Sequence, residues 1–161
     1  MINVSWEDAQ AYADWLNKKT GKEFRLPSEA EWEYACRAGT RTRFYTGDSD
    51  KDLDRAGWYW DNSGGQTHPV GEKAPNAWGL YDMHGNVYEW VEDDWHGSYD
   101  GAPDDGSAWV DNPRGSARVM RGGSWDFGAL GCRSAGRGIS APGGRDVDVG
   151  FRLSRSVALG P

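Results

Sequence analysis

The chain has 161 residues, a length that allows one domain with a true hydrophobic core and leaves little room for a second. Charged residues make up 27% of the composition, yet aromatic residues reach 13%, with ten Trp, so the chain has enough apolar surface to fold. The formal net charge of -7 argues against nucleic acid as a partner, because phosphate contacts need clustered Lys and Arg.

The sequence predicts no membrane insertion, because no apolar run approaches the length of a membrane-spanning helix. Residues 1–15 are amphipathic and lack the basic and apolar regions of a signal peptide, so we expect no such leader in this chain. Two cysteines, Cys36 and Cys132, are too few for a disulfide scaffold or for a zinc site made of four thiolates. These features do not indicate the cellular compartment of the protein.

Two helices are predicted near the start of the chain, where glycine is scarce: 22 of the 23 Gly lie at or after Gly39. A capping box begins at Ser5, apolar residues follow at helical spacing, and Gly21 supplies a stop. A second box begins at Ser28, and its apolar stripe ends before Gly39.

Short strands are predicted after the helices, among them 117–121 and 149–153, with turns rich in Gly, Asn and Asp between them. The pattern indicates an α+β fold in which two helices pack against a small antiparallel sheet and Trp side chains pin long ordered loops. Loops of this length usually carry function.

Charge is divided unevenly along the chain. Residues 1–113 contain 10 Lys/Arg and 22 Asp/Glu, whereas 114–161 contain eight Arg, no Lys and three Asp. Arg suits planar, two-pronged pairing with carboxylates. We therefore expect these Arg to form internal ion pairs with the acidic front part of the chain, the alternative being a nucleic-acid-binding tail.

Several motifs resemble the formylglycine-generating enzyme (sulfatase-modifying factor) domain family, in the same order along the chain. They are VSWEDA at 4–9, RLPSEAEWEYA at 25–35, PNAWGLYDMHGNVYEW at 75–90, RVMRGGSW at 118–125, CRSA at 132–135 and GFRL at 150–153. The resemblance implies a C-type-lectin-like fold in a single domain over residues 1–161. The family includes oxidising enzymes, sulfoxide-forming iron enzymes, accessory domains and ligand-binding proteins, so the fold does not decide the function.

Departures from the family pattern favour a protein that is not an enzyme. The formylglycine-generating enzymes have two closely spaced copper-binding Cys after the segment that matches 122–124, whereas this chain has Cys132 alone there. Cys36 is expected as a small buried hydrophobe on the second helix. The iron-dependent relatives need a cluster of His ligands, but His68, His84 and His96 lack that spacing and are expected at the surface or in turns.

The segment between Trp125 and Gly150 resembles the variable proteins of diversity-generating retroelements, in which adenine-directed mutagenesis diversifies Asn codons. In this segment a framework that includes Cys132, Arg133 and Arg137 is interrupted by other residues. Each interrupting residue has a codon that can be produced from the Asn codon AAC by changing only its two adenines. We predict a variable region at about 122–153, the alternative being an ordinary Gly-rich loop region. Its ligand-binding positions would be Asp126, Phe127, Gly128, Gly131, Gly136, Gly138, Ile139, Ser140, Gly144, Asp146, Val147 and Asp148.

The resemblance implies a display protein, in which Trp125, Arg133, Arg137 and Arg152 form a framework and the diversified side chains form a binding face. Its partner would be a protein or cell-surface ligand, and surface display or association with a phage or virus would be its setting. The alternative function is that of an oxidoreductase or accessory domain of the formylglycine-generating type.

The resemblance also implies one structural Ca²⁺, held by the backbone carbonyls of Gly85 and Val87 and by the Glu89 carboxylate. Oxygen ligands at close spacing are what Ca²⁺ requires. The family's other calcium site uses an Asp that aligns near Gly71, so that site is expected to be absent. The alternative role for Glu89 is an ion pair with a C-terminal Arg.

Overall fold

The computed structural model describes residues 1–155, which contain three helices and eight strands. The helices are α1 (Trp6–Thr20), α2 (Glu29–Arg37) and α3 (Asp50–Ala56). The strands are β1 (Phe24–Arg25), β2 (Gly57–Trp58), β3 (His84–Gly85), β4 (Tyr88–Asp94), β5 (Arg118–Arg121), β6 (Arg137–Ser140), β7 (Val149–Phe151) and β8 (Ser154–Arg155). The predicted α+β class and both predicted helices are confirmed, and α3 is an additional helix not predicted from the sequence.

Each helix begins with a complete capping box, at Ser5, Ser28 and Ser49. In each box the Ser side chain accepts a hydrogen bond from the backbone amide of the acidic residue three positions later, and the side chain of that acidic residue accepts one from the Ser backbone amide. Helix α1 ends at Gly21 in the left-handed conformation, as its sequence predicts. Helix α2 ends one residue earlier than predicted, at Ala38, whose φ of 43° is unusual for a residue with a side chain. The α1 boundary thus follows from a local sequence signal, whereas the exact end of α2 does not.

The main sheet has four strands in the order β6-β5-β4-β7. Strand β5 is antiparallel to both β4 and β6, but β7 is parallel to β4, with Tyr88 opposite Val149. The expected antiparallel sheet is therefore a mixed one. The segment 95–148 between β4 and β7 is long enough to let the chain return in the same direction.

Two short ladders lie outside the main sheet. Strand β1 pairs with β8 in antiparallel fashion, and β2 pairs with β3 in parallel fashion. The β2–β3 pair depends on glycine, because a Cβ built on Gly57 would lie 2.0 Å from the His84 carbonyl oxygen and one on Gly85 would lie 2.0 Å from that of Trp58.

Strand β4 is buried on both faces and separates two clusters of the core. Tyr88 and Trp90 pack on the α1 side of the sheet, and Val91 packs on the α2 side. A third cluster, beneath the loops, consists of Phe44, Leu53, Tyr59, Ala129 and Cys132. None of the helices within residues 1–155 is long and apolar enough to cross a membrane.

Arg residues of the C-terminal part of the chain, 114–155, form ion pairs with its front part. Six of the eight Arg in 114–155 form ion pairs with carboxylates of residues 1–113, which confirms the prediction of internal pairing. The six are Arg114, Arg118, Arg121, Arg137, Arg145 and Arg152. Arg121 is fully buried, and its guanidinium also donates to the carbonyl oxygens of Ser134 and Gly136.

Candidate ligand-binding face

The predicted variable region opens with a turn that requires glycine. Gly122 and Gly123 have φ values of 98° and 73°. A Cβ on Gly123 would lie 2.6 Å from the Sγ atom of Cys132, and one on Gly122 would lie 3.2 Å from the Trp32 ring. The turn carries the chain from the end of β5 into the loop 124–136.

Two loops of the region, 124–136 and 141–148, converge above the side chain of Tyr88. The Ser124 hydroxyl oxygen lies 2.6 Å from a carboxylate oxygen of Asp126 and 3.2 Å from one of Asp148. The Phe127 ring meets the Tyr88 ring edge-on, with centroids 5.1 Å apart. We call the surface formed by Tyr88 and residues 124–128 and 146–148 the Tyr88 face.

The predicted binding positions differ in their exposure. The exposed residues are Phe127, Gly128, Ile139, Asp146 and Val147, the half-buried residues are Asp126, Gly131, Gly138, Ser140 and Gly144, and the buried residues are Gly136 and Asp148. The loops thus present exposed apolar and acidic side chains beside a partly buried acidic pair.

Ile139 does not join the other predicted positions on the Tyr88 face. Its neighbour Gly138 faces Tyr88, since a Cβ built there would lie 2.9 Å from the Tyr88 ring. Successive residues of a strand point to opposite faces of a sheet. Ile139 therefore projects on the other side, where its partner residue Val119 packs in the α2 cluster.

Several of the predicted glycine positions have little room for a side chain. A Cβ on Gly136 would lie 2.3 Å from the Gly131 carbonyl oxygen, so a backbone atom occupies the space that a diversified side chain would need. A Cβ on Gly144 would lie 2.7 Å from the Ser140 hydroxyl, a contact that rotation of a side chain can relieve, whereas Gly128 has open space. The geometry therefore argues against Gly136 as a variable position and favours Gly128.

Three residues near the loops were not identified from the sequence as part of the site: Tyr88, Trp60 and Leu130. Trp60 and Leu130 are two-thirds exposed, and the Trp60 amide donates to the Phe127 carbonyl oxygen at 3.0 Å. Trp60 lies in the front part of the chain, so only tertiary structure brings it beside Phe127. Trp60 and Leu130 widen the apolar part of the surface, whereas Tyr88 is buried beneath it.

The acidic residues of the Tyr88 face are Asp126, Asp146 and Asp148. Among residues 1–155, none of Asp126, Asp146 and Asp148 forms an ion pair. Burial raises the pKa of Asp148, and the nearby carboxylates of Asp126 and Asp146 raise it further. The face is therefore apolar and acidic.

Both cysteine thiols lie in the interior. Cys36 and Cys132 are free and fully buried, and burial raises the pKa of each thiol to about 12. The Cys132 sulfur lies 3.9 Å from the Ser124 carbonyl oxygen and packs beneath the Gly122–Gly123 turn. At neutral pH both groups are protonated thiols, which are poor nucleophiles and poor metal ligands.

The prediction that His84 lies at the surface or in a turn is wrong. His84 is 0% exposed and lies in β3, where the remote segments around Tyr45 and Cys132 cover its ring. Its Nε2 accepts the Tyr45 amide at 3.1 Å, so its Nδ1 carries the proton and donates to the Cys132 carbonyl oxygen at 2.8 Å. His68 and His96 lie in loops, half-buried and stacked on Trp rings.

Glu89 is engaged by protein side chains at both carboxylate oxygens. Arg152 binds it through two hydrogen bonds, of 2.5 and 2.7 Å, and the Trp32 indole donates to it at 2.7 Å. A Ca²⁺ ion held by Glu89 would lie beside the guanidinium and would have to displace or oppose it. With Gly85 and Val87 supplying backbone oxygens only, this arrangement does not fit a calcium ion and favours the alternative ion-pair role.

Solved structures have a fold similar to that of this chain, among them the following two. The structure of PvdO from Pseudomonas aeruginosa superimposes with a TM-score of 0.91 at 42% identity, over 97% of this chain and 61% of that one. The Treponema denticola variable protein 1 superimposes with a TM-score of 0.83 at 32% identity, over 95% of this chain and 69% of that one.

Curated relatives also match almost the whole chain, among them the following two. The serine/threonine-protein kinase pkn1 of Chlamydia caviae is 37% identical over 98% of this chain and 24% of its own length. The formylglycine-generating enzyme of Thermomonospora curvata is 36% identical over 96% of this chain and 54% of its own length. The chain thus spans between about a quarter and about half of the curated relatives it matches.

The fold defines the class of protein: a C-type-lectin-like α+β domain in which helices and a curled sheet carry long ordered loops, as predicted from the motifs. The chain belongs to the sulfatase-modifying factor enzyme 1-like domain family, whose model matches residues 1–157. The suspected relationship to the formylglycine-generating enzymes and to a retroelement-type variable protein is confirmed at the level of family.

Proposed function

We propose that this domain is a non-catalytic ligand-binding module whose Tyr88 face holds a protein or cell-surface ligand. One observation carries the proposal: two loops bring exposed side chains without ion-pair partners together above Tyr88. In the same region, Arg137 and Arg152 form ion pairs with Glu29 and Glu89 and so hold the backbone in place. A rigid framework lets neighbouring surface residues vary at little cost in stability. The likeness to the Treponema denticola variable protein 1 supports the same function.

The acidic and apolar character of the face indicates the chemistry of its partner. Phe127 and Val147 would supply apolar anchors, and Asp126 and Asp146 would supply charged acceptors. An apolar surface with basic residues would complement this face, whereas nucleic acid would be repelled by its carboxylates.

A combinatorial library at Asp126, Phe127, Asp146 and Val147 tests the proposal. We expect most members to melt close to the parent protein and selection against unrelated proteins to yield binders. A matched library at Val119 and Met120, which are buried in β5, should mostly fail to fold. Failure of most members of the first library to fold would contradict the proposal.

The alternative function is oxidation of a Cys-containing peptide, or an accessory role in such a reaction, as the identity to the formylglycine-generating enzymes suggests. The burial and raised pKa of Cys132 argue against it. Copper-dependent oxidation of a Cys peptide by this protein, lost in Cys132→Ser, would establish the alternative and overturn the binding proposal.

A further inference from the structure

A cavity of about 390 Å³ opens between α2 and the segment 99–109. This volume lies in the range of small-molecule sites. None of the residues that line the cavity belongs to 122–153, so it is separate from the Tyr88 face. The side chains that matter for its chemistry are Glu29, Glu33, Tyr34, Asp93, Tyr99 and Trp109. One cationic residue, Arg37, also lines the cavity and forms an ion pair with Glu33.

Two of the three carboxylates at this cavity are neutralised by protein side chains. Glu29 is bound by the Arg137 guanidinium through hydrogen bonds of 2.6 and 2.8 Å and also accepts the Tyr99 hydroxyl at 3.0 Å. Glu33 lies between Arg37 and Arg121 and forms an ion pair with each. Neither group is free to attract a charged ligand.

Asp93 is the exception. Its two oxygens accept backbone amides, from Glu29 at 2.6 Å and from Trp109 at 2.8 Å. No Lys, Arg or His in residues 1–155 forms an ion pair with it. Asp93 is 4% exposed, and burial raises the pKa of its carboxyl group. The two backbone hydrogen bonds offset part of the cost of burying this carboxylate, and a cationic ligand would stabilise it further.

Aromatic rings line the walls beside Asp93. Trp109 is stacked on His96 with ring centroids 3.6 Å apart, and the Arg137 guanidinium lies 4.6 Å from the Tyr99 ring. These contacts fix both rings. Tyr34 stands at the rim, 68% exposed, with its ring against that of Trp78. Fixed rings next to an unpaired carboxylate are the combination that recognises organic cations.

We propose that this cavity binds a quaternary alkylammonium ion, with the charged nitrogen near Asp93 and its methyl groups against Tyr34, Tyr99 and Trp109. The Asp93 oxygens already accept two amides, so a cation that attracts by charge and brings no N–H donors fits best. An anionic ligand would be repelled by Asp93, and a neutral one would leave its charge uncompensated.

Titration of the full chain with choline and with its uncharged isostere 3,3-dimethylbutan-1-ol, followed by NMR or calorimetry, tests the charge requirement. We expect millimolar choline binding, as suits a ligand of so few atoms, and binding of the isostere weaker by about tenfold or more. Equal binding of the two, or no choline binding, would overturn the proposal.

Variants locate the site. Asp93→Asn should abolish choline binding, and Tyr34→Ala should weaken it by about threefold to tenfold with an unchanged melting temperature, because Tyr34 is mostly exposed. Tyr12→Ala, which removes an exposed Tyr from α1, is the matched control and should bind choline as the parent does. If Tyr34→Ala binds choline normally, the cation lies elsewhere and the assignment to this cavity is wrong.

Discussion

Asn86 and His68 form a reciprocal pair of hydrogen bonds: the Asn86 side-chain amide donates to the His68 carbonyl oxygen at 3.1 Å, and the His68 amide donates to the Asn86 side-chain oxygen at 3.0 Å. The Asn86 backbone also donates to the Trp58 carbonyl oxygen at 2.7 Å and accepts the Trp125 amide at 3.0 Å. One residue thus connects β2, a loop of the front part and the start of the predicted variable region.

Replacement of Asn86 by Ala should therefore destabilise the fold by about 2 to 4 kcal/mol. The variant leaves two backbone groups of His68 without partners and places Ala at a φ of 63°, which Asn tolerates better. Urea denaturation measures the change. Asn86→Gly keeps the backbone conformation and separates the two causes, and a loss below about 0.5 kcal/mol in Asn86→Ala would show that the connection is not structural.

His84 should make stability depend on pH. Burial lowers its pKa from 6.5 to about 4, so the unfolded chain binds the extra proton between these two values and the native state does not. Stability is fully present above pH 6.5 and falls as the pH drops toward 4, by about 3 kcal/mol from this group. The raised pKa values of Asp93 and Asp148 have the opposite effect. Both carboxyl groups bind protons more readily in the native state than in the unfolded chain, so their contribution to stability rises as the pH falls through the acidic range.

Comparison with His84→Gln isolates the histidine contribution. The variant is expected to be less stable at pH 7 but to lose less stability between pH 7 and pH 4.5 in urea denaturation. Equal slopes for the parent and His84→Gln would mean that His84 is not the titrating group.

The ion pair between Glu89 and Arg152 leads to a prediction about calcium. Glu89→Gln should lower stability by about 2 to 4 kcal/mol, because it leaves a partly buried guanidinium without its counter-charge. Addition of a chelator to the parent protein should leave the melting temperature unchanged. A clear drop on chelation, restored by Ca²⁺ and absent in Glu89→Gln, would instead favour the metal role implied by the family.

Local signals of the sequence predict much of the fold but little of the site. The capping boxes at Ser5 and Ser28 act within one helical turn, and the Arg-only composition of the C-terminal part identifies ion pairing, although not the individual partners. The burial of His84 was missed because remote segments cover its ring. The AAC-compatible pattern carries no geometry, so it groups Ile139 with Phe127 although the strand places them on opposite sides of the sheet.

Two glycines give the sharpest test of where the variable region can vary. Both Gly128 and Gly136 were predicted as binding positions, and neither has a positive φ, so an Ala substitution tests space alone. A Cβ meets nothing within 4 Å at Gly128 but lies 2.3 Å from a carbonyl oxygen at Gly136. We expect Gly128→Ala to change stability by less than about 0.5 kcal/mol and Gly136→Ala to cost about 2 kcal/mol or more.

Gly128 and Gly136 should also differ in the range of side chains that each position accepts. A library at Gly128 should fold across most substitutions, whereas one at Gly136 should fold only with Gly, because the Gly131 carbonyl cannot move without breaking the turn that precedes Cys132. Thermal melts of single variants at both positions measure the contrast. If Gly136 accepts large side chains as readily as Gly128, the loop 124–136 is free to rearrange, and the rigid framework on which the binding proposal depends does not extend through it.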